Sequence, residues 1–386
     1  MMKTIKLMNK IAACGPAVFP EGYTVNDTAD DPDAILVRSA ALHDMPLNPS
    51  LRAIARAGAG VNNIPLDRCA EAGVVVFNTP GANANAVKEL TVAALIMAAR
   101  NLPAGIEWAA SLRGTEGVAK AVEAGKSRFA GHELTGKTLG VIGLGAIGGM
   151  VANAADALGM SVVGCDPFIT VNAAWALSRA VKKASTYDEI YACADYITLH
   201  VPATPETKGM ICRETIAKMK NGVKIVNLSR ADLVNAADLK EALASGKVGG
   251  YVTDFPTEET VGVPGIVCIP HLGASTEESE DHCAVMAAKE VLDFLENGNI
   301  RNSVNYPALS MPRSGVQRLC ICHRNIPNML SGITAAVSGE GINIENLSNG
   351  SRGEYAYTML DLGAPVAEKI IAALRATDGI LRVTVL

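Results

Sequence analysis

The 386-residue chain lacks the features that mark two large classes of protein. Its net charge is −5 and it has no dense run of lysine or arginine, which argues against nucleic acid as a partner. Its longest nearly continuous apolar run, residues 90–99, is too short to span a bilayer, so we expect no membrane segment. Small anionic ligands stay possible, because they need only a local cluster of charge.

Signals for disulfides, metal binding and secretion are also missing. The nine cysteines are scattered with no Cys-x-x-Cys pair, which is typical of reduced cytoplasmic thiols. Neither cysteine nor histidine spacing indicates a metal site, and we expect none. Lys10 interrupts the apolar stretch near the start, so that segment reads as a β-strand rather than a signal peptide. We therefore expect a cytoplasmic protein.

What the chain does contain is a glycine-rich turn between a predicted strand and a predicted helix. Gly143, Gly145 and Gly148 have the spacing Gly-x-Gly-x-x-Gly. The first glycine permits a tight turn, the second lets the backbone approach a pyrophosphate, and the third lets the helix pack closely on the sheet. The first helical amides, at Ala146 and Ile147, would then face the anion. This arrangement predicts a dinucleotide site.

A second predicted strand ends at Asp166, eighteen residues beyond Gly148. A carboxylate at this place accepts hydrogen bonds from the hydroxyl groups of an adenosine ribose. Residues 167–169 contain no arginine or lysine that would neutralise a 2′-phosphate. The sequence therefore predicts NAD rather than NADP as the cofactor.

Short apolar runs alternate with helical stretches from about residue 138 onward, which predicts a doubly wound parallel sheet. The predicted strands are 138–142, 161–165, 196–201, 224–228, 251–254 and 267–269. The same alternation, in weaker form, in the first ninety residues predicts a second, smaller α/β unit, with strands at 4–8, 34–38 and 74–77. One long helix is predicted over 276–295. Beyond residue 315 the pattern predicts an independent βαββαβ module, in which Cys320 and Cys322 pack in the core.

Three polar residues follow predicted strands at the carboxyl edge of the larger sheet, where such folds bind ligands. Hydride leaves a secondary alcohol only as the hydroxyl proton is removed, and His271 is the candidate base. Glu259 would accept the other imidazole N–H. Arg230 would grip a substrate carboxylate. The alternatives are a loop histidine, a solvated Glu258-Glu259 pair and a surface arginine.

The order of these residues after the glycine turn closely resembles the D-isomer-specific 2-hydroxyacid dehydrogenases. The sequence segments that resemble the family are residues 227–231, 253–259 and 271–276. The resemblance covers residues 1 to about 305 and implies two doubly wound, Rossmann/flavodoxin-like parallel-sheet domains. It implies that Arg230 binds the substrate carboxylate and that His271 and Glu259 form the acid-base couple. Glu259 is preferred to Glu258 because it lies five residues after Asp254.

The same resemblance implies further ligand contacts. It places a distal substrate phosphate on Arg38 and the substrate carboxylate on the amides near Gly60 and Val61. The full set of implied substrate contacts is Arg38, Ser39, Gly60, Val61, Asn83 and Arg230. Besides the glycine turn, the implied NAD contacts are Asp166, His200, Pro202, Thr207, Leu228, Ser229, Asp254, His271 and Gly273. Lys126 and Arg128 either supplement the phosphate site from a neighbouring subunit or form a solvated turn.

Residues 316–386 resemble an ACT domain, a ferredoxin-like module that binds amino acids. The resemblance to serine-regulated dehydrogenases that carry this module implies effector contacts at His323, Asn325 and Asn343 of this chain. Alternatively, His323 and Asn343 only satisfy local backbone groups. Asn328 stands where a glycine is usual, and asparagine tolerates a left-handed backbone.

The predicted domains are a substrate-binding domain (1–92 and 276–305), an NAD-binding domain (93–275) and an ACT regulatory domain (316–386). Together these resemblances imply NAD-dependent oxidation of D-3-phosphoglycerate to 3-phosphohydroxypyruvate, which enters serine synthesis. They imply an enzyme of the short type, which has no domain beyond these three, and an assembly that is a homodimer or a homotetramer. The alternatives are a glyoxylate or hydroxypyruvate reductase, another D-2-hydroxyacid dehydrogenase, a corepressor-like dinucleotide sensor, and a catalytically idle amino-acid sensor.

Overall fold

The computed structural model describes residues 2–386, which form two compact units. The first unit contains the segment that ends at Asn83 together with Glu277–Leu386, and the second unit is Ala84–Thr276. Among residues 2–386, no helix is both long and apolar enough to cross a membrane.

The elements are numbered in chain order. The strands are β1 (Lys3–Met8), β2 (Tyr23–Asn26), β3 (Ala34–Val37), β4 (Ala53–Arg56), β5 (Val75–Phe77), β6 (Thr138–Ile142), β7 (Ser161–Cys165), β8 (Lys182–Lys183), β9 (Tyr196–Leu199), β10 (Val223–Asn227), β11 (Val248–Thr253), β12 (Ile266–Cys268), β13 (Gln317–Arg324), β14 (Ile344–Arg352), β15 (Tyr355–Leu362) and β16 (Ile380–Val385). The α-helices are α1 (Leu66–Glu71), α2 (Ala84–Arg100), α3 (Leu102–Ser111), α4 (Val118–Gly125), α5 (Ala146–Ala157), α6 (Val171–Trp175), α7 (Tyr187–Cys193), α8 (Arg213–Lys218), α9 (Ala236–Ala244), α10 (Glu277–Asn297), α11 (Met329–Ser338) and α12 (Glu368–Arg375). Short 3-10 helices cover Pro16–Val18, Lys126–Phe129 and Ala231–Leu233.

The first unit contains a five-stranded parallel sheet in the order β2-β1-β3-β4-β5. This is the doubly wound order of flavodoxin-like folds. All residues of β3 and β5 are buried, as expected for parallel strands covered on both faces. The strands β2 and β4 were not predicted. All four residues of β2 are only partly buried, and β4 contains two alanines and an arginine among its four residues, so neither has a strong hydrophobic pattern.

The terminal segment of the first unit is a four-stranded antiparallel sheet in the order β14-β15-β13-β16, with α11 and α12. Its strand and helix order confirms the predicted βαββαβ pattern. One face of the sheet, including Leu319 and Ile321, forms a core with the two helices. The opposite face, including Cys320, Cys322 and Tyr357, joins the core of the first sheet and α10. The module is therefore docked onto the rest of its unit rather than standing apart.

An arginine of a buried ion pair within the module also joins the module to the chain that precedes it. Arg318 and Asp361 are both fully buried, and the guanidinium donates from Nε to Oδ1 at 2.6 Å and from Nη2 to Oδ2 at 2.7 Å. The remaining donors reach the carbonyl oxygens of Asn297, Met311 and Pro312. All five guanidinium N–H groups are thus paired, which buried charge requires.

The second unit contains a seven-stranded parallel sheet in the order β12-β11-β10-β9-β6-β7-β8. The strand order reverses between β6 and β9, and open α/β sheets bind ligands outside the carboxyl ends of the strands at such a point. The predicted fold class is confirmed. The predicted start of the NAD-binding domain, residue 93, lies inside α2, which belongs to the second unit as a whole. The predicted three-domain division stays a prediction.

Candidate active site

The glycine turn joins β6 to α5 at the point where the strand order reverses. Gly143 has a φ of +90°, and a Cβ there would lie 2.5 Å from the carbonyl oxygen of His200. A Cβ on Gly148 would lie 1.9 Å from the carbonyl oxygen of Gly143. A Cβ on Gly145, by contrast, would meet nothing within 4 Å. Gly143 and Gly148 are therefore required by packing, and Gly145 leaves open space at the start of α5, where a pyrophosphate would fit.

The carboxylate of Asp166 lies beside this turn at the end of β7. Its Oδ2 accepts a hydrogen bond from the amide of Leu144, and its Oδ1 accepts one from the amide of Phe168, both at 2.8 Å. These two bonds hold the carboxylate in place. Each oxygen retains a lone pair for a further donor, as contact with ribose hydroxyls requires.

The loop that follows β9 is closed by Thr207. Its hydroxyl donates to the carbonyl oxygen of Pro202 at 2.6 Å and accepts from the amide of Thr204 at 2.8 Å. At the start of this loop, His200 Nε2 lies 3.0 Å from the hydroxyl oxygen of Thr198. Its Nδ1 is buried and has no partner among residues 2–386. Burial lowers the pKa of His200 to about 4, so its imidazole is neutral.

The buried side chain of Asn227 shapes the loop after β10. It donates to the Tyr251 hydroxyl at 3.1 Å and to the carbonyl oxygen of Arg230 at 2.8 Å. Its own oxygen accepts the amide of Ser229 at 3.2 Å, and the Ser229 hydroxyl donates to the last carbonyl of β9 at 2.6 Å. Leu228, between them, is buried. Asn227 was missed by sequence reasoning, although an amide that ends an apolar strand is a usable signal.

Phe255 brings two of the predicted catalytic residues together. The guanidinium carbon of Arg230 lies 5.9 Å from the centre of its ring, and the imidazole of His271 lies 4.5 Å from it, tilted by 45°. Both polar side chains are exposed. Because no pattern marks one phenylalanine in a loop, the sequence did not identify Phe255.

Asp254 anchors the loop that carries His271. This residue is only 1% exposed, and its Oδ2 accepts the amide of Gly273 at 3.1 Å. Its Oδ1 has no partner within residues 2–386. Burial raises the pKa of Asp254, although the hydrogen bond from the Gly273 amide and the charge of Arg230 oppose the shift. A Cβ on Gly273 would lie 3.1 Å from Oδ2, so the loop packs tightly on the carboxyl.

Glu259 is not joined to His271. In the described part of the chain, no hydrogen bond or ion pair connects the two side chains. A turn closed by the Thr257 amide and the Thr260 hydroxyl, 2.9 Å apart, leaves Glu258 and Glu259 exposed. The hydrogen bond expected between Glu259 and the imidazole is therefore absent from this structure, and the acid-base couple stays a prediction.

Apart from Arg230, the predicted substrate residues lie in the first unit, on the carboxyl side of its strands. Arg38 follows β3 and Arg56 ends the adjacent β4, and the Nε of Arg56 donates to the carbonyl oxygen of Arg38 at 3.1 Å. Gly58 has a φ of +154°, and a Cβ there would lie 2.5 Å from Nη1 of Arg56. The sequence identified Arg38 but missed Arg56, its neighbour in the sheet.

The remaining predicted substrate contacts lie on loops of the same edge. The amide of Ser39 donates to Asn9 Oδ1 at 3.3 Å. Gly60 and Val61 are half-buried in the loop after β4, and Asn83 is half-buried at the end of the loop after β5. Arg38 is already paired, since its Nη2 lies 2.6 Å from Oε1 of Glu280 in the first turn of α10.

Lys126 and Arg128 pack within their own segment of the second unit. The Arg128 guanidinium lies 4.5 Å from the centre of the Trp108 ring and 4.9 Å from that of Phe129. Lys126 pairs with Glu123. Both side chains have partners in this region, and their role toward a phosphate stays untested.

The predicted effector residues of the terminal module differ in exposure. His323 is buried, and its Nδ1 and Nε2 lie 2.8 Å from the Arg324 carbonyl oxygen and the Thr358 hydroxyl oxygen respectively. Asn325 and Asn343 are exposed. They donate to the Gly353 carbonyl oxygen at 3.1 Å and to Glu345 Oε1 at 2.9 Å. Asn328 has a φ of +65°, the left-handed conformation that asparagine was expected to tolerate.

Comparison with known proteins identifies the family. The model of the D-isomer specific 2-hydroxyacid dehydrogenase NAD binding domain matches residues 92–273. The D-3-phosphoglycerate dehydrogenase of Escherichia coli is 31% identical over 340 residues, which cover 85% of this chain and 79% of that protein. The chain belongs to the D-isomer specific 2-hydroxyacid dehydrogenase family. The glycine turn and Asp166 lie inside the family's NAD-binding domain.

Other family members extend beyond the matched region. The Bacillus subtilis D-3-phosphoglycerate dehydrogenase is 38% identical over 72% of this chain, and the Methanocaldococcus jannaschii enzyme of that name is 37% identical over 81%. The matches cover 52% and 59% of those relatives, so the chain spans little more than half of their length.

Solved structures resemble the chain over about four fifths of its length. An NAD+-bound 3-phosphoglycerate dehydrogenase from Entamoeba histolytica matches 80% of this chain and all of its own, with a TM-score of 0.60 and 26% identity. The D-mandelate dehydrogenase of Rhodotorula graminis matches 81% of this chain and all of its own, with a TM-score of 0.68 and 23% identity, which shows a shared fold. Among residues 2–386, no three side chains of histidine, cysteine, aspartate or glutamate are grouped so that they could hold a metal ion.

Proposed function

We propose that the chain oxidises D-3-phosphoglycerate to 3-phosphohydroxypyruvate with NAD, as the first step of the phosphorylated route to serine. The names of its bacterial relatives support this substrate. The observation that carries the proposal is the pair of arginines, Arg38 and Arg56, at one edge of the first sheet. Two arginine residues at one edge of a sheet suit a dianionic phosphate better than an uncharged hydroxymethyl group.

The second unit would supply the chemistry. His271 would take the proton of the substrate hydroxyl while Arg230 holds the adjacent carboxylate. NAD, when bound, supplies the acceptor for the hydride that leaves the same carbon. Asp254 would keep the His271 loop in position through the Gly273 amide. Glu259 would stabilise the imidazolium if its loop moves toward His271 during the reaction.

The test is the appearance of NADH with purified protein, NAD and D-3-phosphoglycerate, with hydrazine to trap the keto product. We expect turnover with the phosphorylated acid and much less with D-glycerate or D-lactate. His271→Ala should lose about a hundredfold to ten-thousandfold of the rate, as loss of a general base does.

His132→Ala is the matched control, because His132 is another exposed histidine of the second unit. If its rate fell as far as that of His271→Ala, the proton-transfer role would be wrong. If no acid were oxidised although NADH bound, the dinucleotide-sensor or amino-acid-sensor alternative would replace the enzyme.

A second candidate is a glyoxylate or hydroxypyruvate reductase, or another D-2-hydroxyacid dehydrogenase. It is favoured by the ion pair between Arg38 and Glu280, which lowers the positive charge available to a phosphate. Equal activity with D-glycerate and D-3-phosphoglycerate would favour this candidate.

We also propose that the terminal module is an ACT domain with L-serine as its effector. The exposed amides of Asn325 and Asn343 support such a site. His323 would contact an effector only by giving up one of its bonds within the module, to Arg324 or Thr358.

The proposed assembly is a homodimer or homotetramer in the cytoplasm. Helices α3 and α4 contain no buried residue, and Leu102, Ile106 and Val118 on them are 42%, 68% and 43% exposed. Apolar side chains in such numbers favour contact with a second copy. The free cysteines agree with a reducing compartment.

A further inference from the structure

A carboxylate already holds the arginine that we assign to the substrate phosphate. Arg38 Nη2 and Glu280 Oε1 are 2.6 Å apart, and the two side chains are 40% and 41% exposed. This is the length of a charge-assisted hydrogen bond, in which a carboxylate oxygen uses the guanidinium N–H that a phosphate oxygen would use. Glu280 and a phosphate would therefore compete for the same donor.

The helix keeps Glu280 near this edge of the sheet. Glu280 lies in the first turn of α10 with Glu277 and Glu278, where the positive end of the helix dipole favours carboxylates. Cys283, almost one turn further along α10, is buried, and burial raises the pKa of its thiol. The charges of Arg56 and Arg38 oppose that shift, so both guanidinium groups act on the same part of the helix.

The net charge of this cluster decides how strongly it attracts an anion. Glu280 offsets the positive charge of Arg38, the guanidinium with which it is paired. A phosphate bound on Arg38 would also lie close to the negative charge of Glu280, which is unfavourable. An amide at position 280 would fill the same space without that charge.

We propose that Glu280 is a specificity-determining residue, which competes with the substrate phosphate for Arg38 and so weakens binding of phosphorylated acids. The inference rests on the proposed function only for the identity of the natural ligand, a phosphorylated acid. The anion site itself is testable without turnover, because inorganic phosphate has the charge of the phosphoryl group.

The experiment compares wild type, Glu280→Gln and Glu277→Gln by calorimetric titration with inorganic phosphate and by KM for D-3-phosphoglycerate and D-glycerate. Glu277→Gln removes the same charge from the same helical turn, and Glu277 is exposed. We expect Glu280→Gln to bind phosphate about fivefold more tightly, the effect of one exposed ion pair. Its KM for D-3-phosphoglycerate should fall by a similar factor while that for D-glycerate stays unchanged.

Each other outcome overturns the inference. Unchanged or weaker phosphate binding in Glu280→Gln would mean that Glu280 has no role or that it orients Arg38 for the ligand. An equal gain in Glu277→Gln would indicate a general charge effect. In an Arg38→Ala background the gain should vanish, and its persistence would also contradict competition for Arg38.

Failure of the proposed function gives a different result. In that case wild type would not oxidise D-3-phosphoglycerate, whereas the titrations with inorganic phosphate would still separate Glu280→Gln from Glu277→Gln.

Discussion

The glycine turn of the second unit and the terminal module of the first are held together by different kinds of contact. In the turn, backbone meets backbone, since Gly148 lies against the carbonyl oxygen of Gly143. In the module, one charged side chain, Arg318, pairs with Asp361 of the same sheet and donates to three carbonyl groups of the preceding chain. The turn has no room for a Cβ at Gly143 or Gly148, whereas the buried ion pair of the module depends on every partner being present.

The two kinds of contact imply that substitutions in the two regions change different properties. A side chain added in the turn distorts the place where a pyrophosphate would bind, so ligand affinity should suffer first. Removing a partner from the buried ion pair leaves a charge without compensation, so folding stability should suffer first. Measuring ligand affinity and folding stability on variants of both regions tests this difference.

Arg318→Met should have the largest effect. It leaves Asp361 buried without its partner, which costs about 3–5 kcal/mol in the free energy of unfolding. Urea denaturation followed by circular dichroism measures this loss. Arg375→Met is the matched control, because the Arg375–Glu368 pair of the same module is exposed and is worth at most about 1 kcal/mol.

The same pair gives the module a dependence on pH. Burial opposes ionisation of Asp361, but hydrogen bonds from Arg318 and Ser314 outweigh it and lower its pKa below the ordinary aspartate value of 3.8. The stability that this shift contributes is present above that value and is lost as the pH falls through the lowered pKa. The difference in the free energy of unfolding between wild type and Arg318→Met should therefore become smaller at acid pH. A difference that grew would contradict the role of the ion pair.

Gly148→Ala should have the second largest effect. Its methyl carbon would lie 1.9 Å from the Gly143 carbonyl oxygen, so the turn must shift. We expect the affinity for NADH, measured by fluorescence titration, to fall about a hundredfold, as a strained packing change of 1–3 kcal/mol permits. Gly149→Ala is the control, because its Cβ would meet its nearest neighbour at 3.5 Å. Equal affinity in both variants would refute the steric argument.

His323→Gln should have the smallest effect. Loss of the bonds to Arg324 and Thr358 should lower stability by about 1 kcal/mol. Burial lowers the pKa of His323, so wild type loses this stability as the pH falls below the ordinary histidine value of 6.5, and the variant does not.

The neighbouring Asn325→Ala should instead weaken binding of L-serine while leaving stability nearly unchanged, because Asn325 is exposed. Calorimetric titration with serine measures this difference. If serine bound to neither wild type nor variants, the effector proposal would fail, but the stability result for His323→Gln would stand.

Much of the fold was predictable because parallel strands buried on both faces are continuous apolar runs, as in β6 and β9. The glycine turn and Asp166 were predictable because their spacing is local. Phe255 and Arg56 were not, since each matters through a neighbour that another strand or loop supplies. The expected bond between Glu259 and His271 is not formed, because a local turn leaves the glutamate exposed.

The family, the two parallel sheets and the dinucleotide turn follow from the amino-acid sequence, because hydrophobic period and glycine spacing act over a few residues. Three contacts became visible only in the folded chain: the pair of Arg38 with Glu280, the bonds of both nitrogens of the buried His323, and the packing of the terminal sheet on α10. Those contacts join residues far apart in the chain, and their energy depends on desolvation and geometry that no local pattern records.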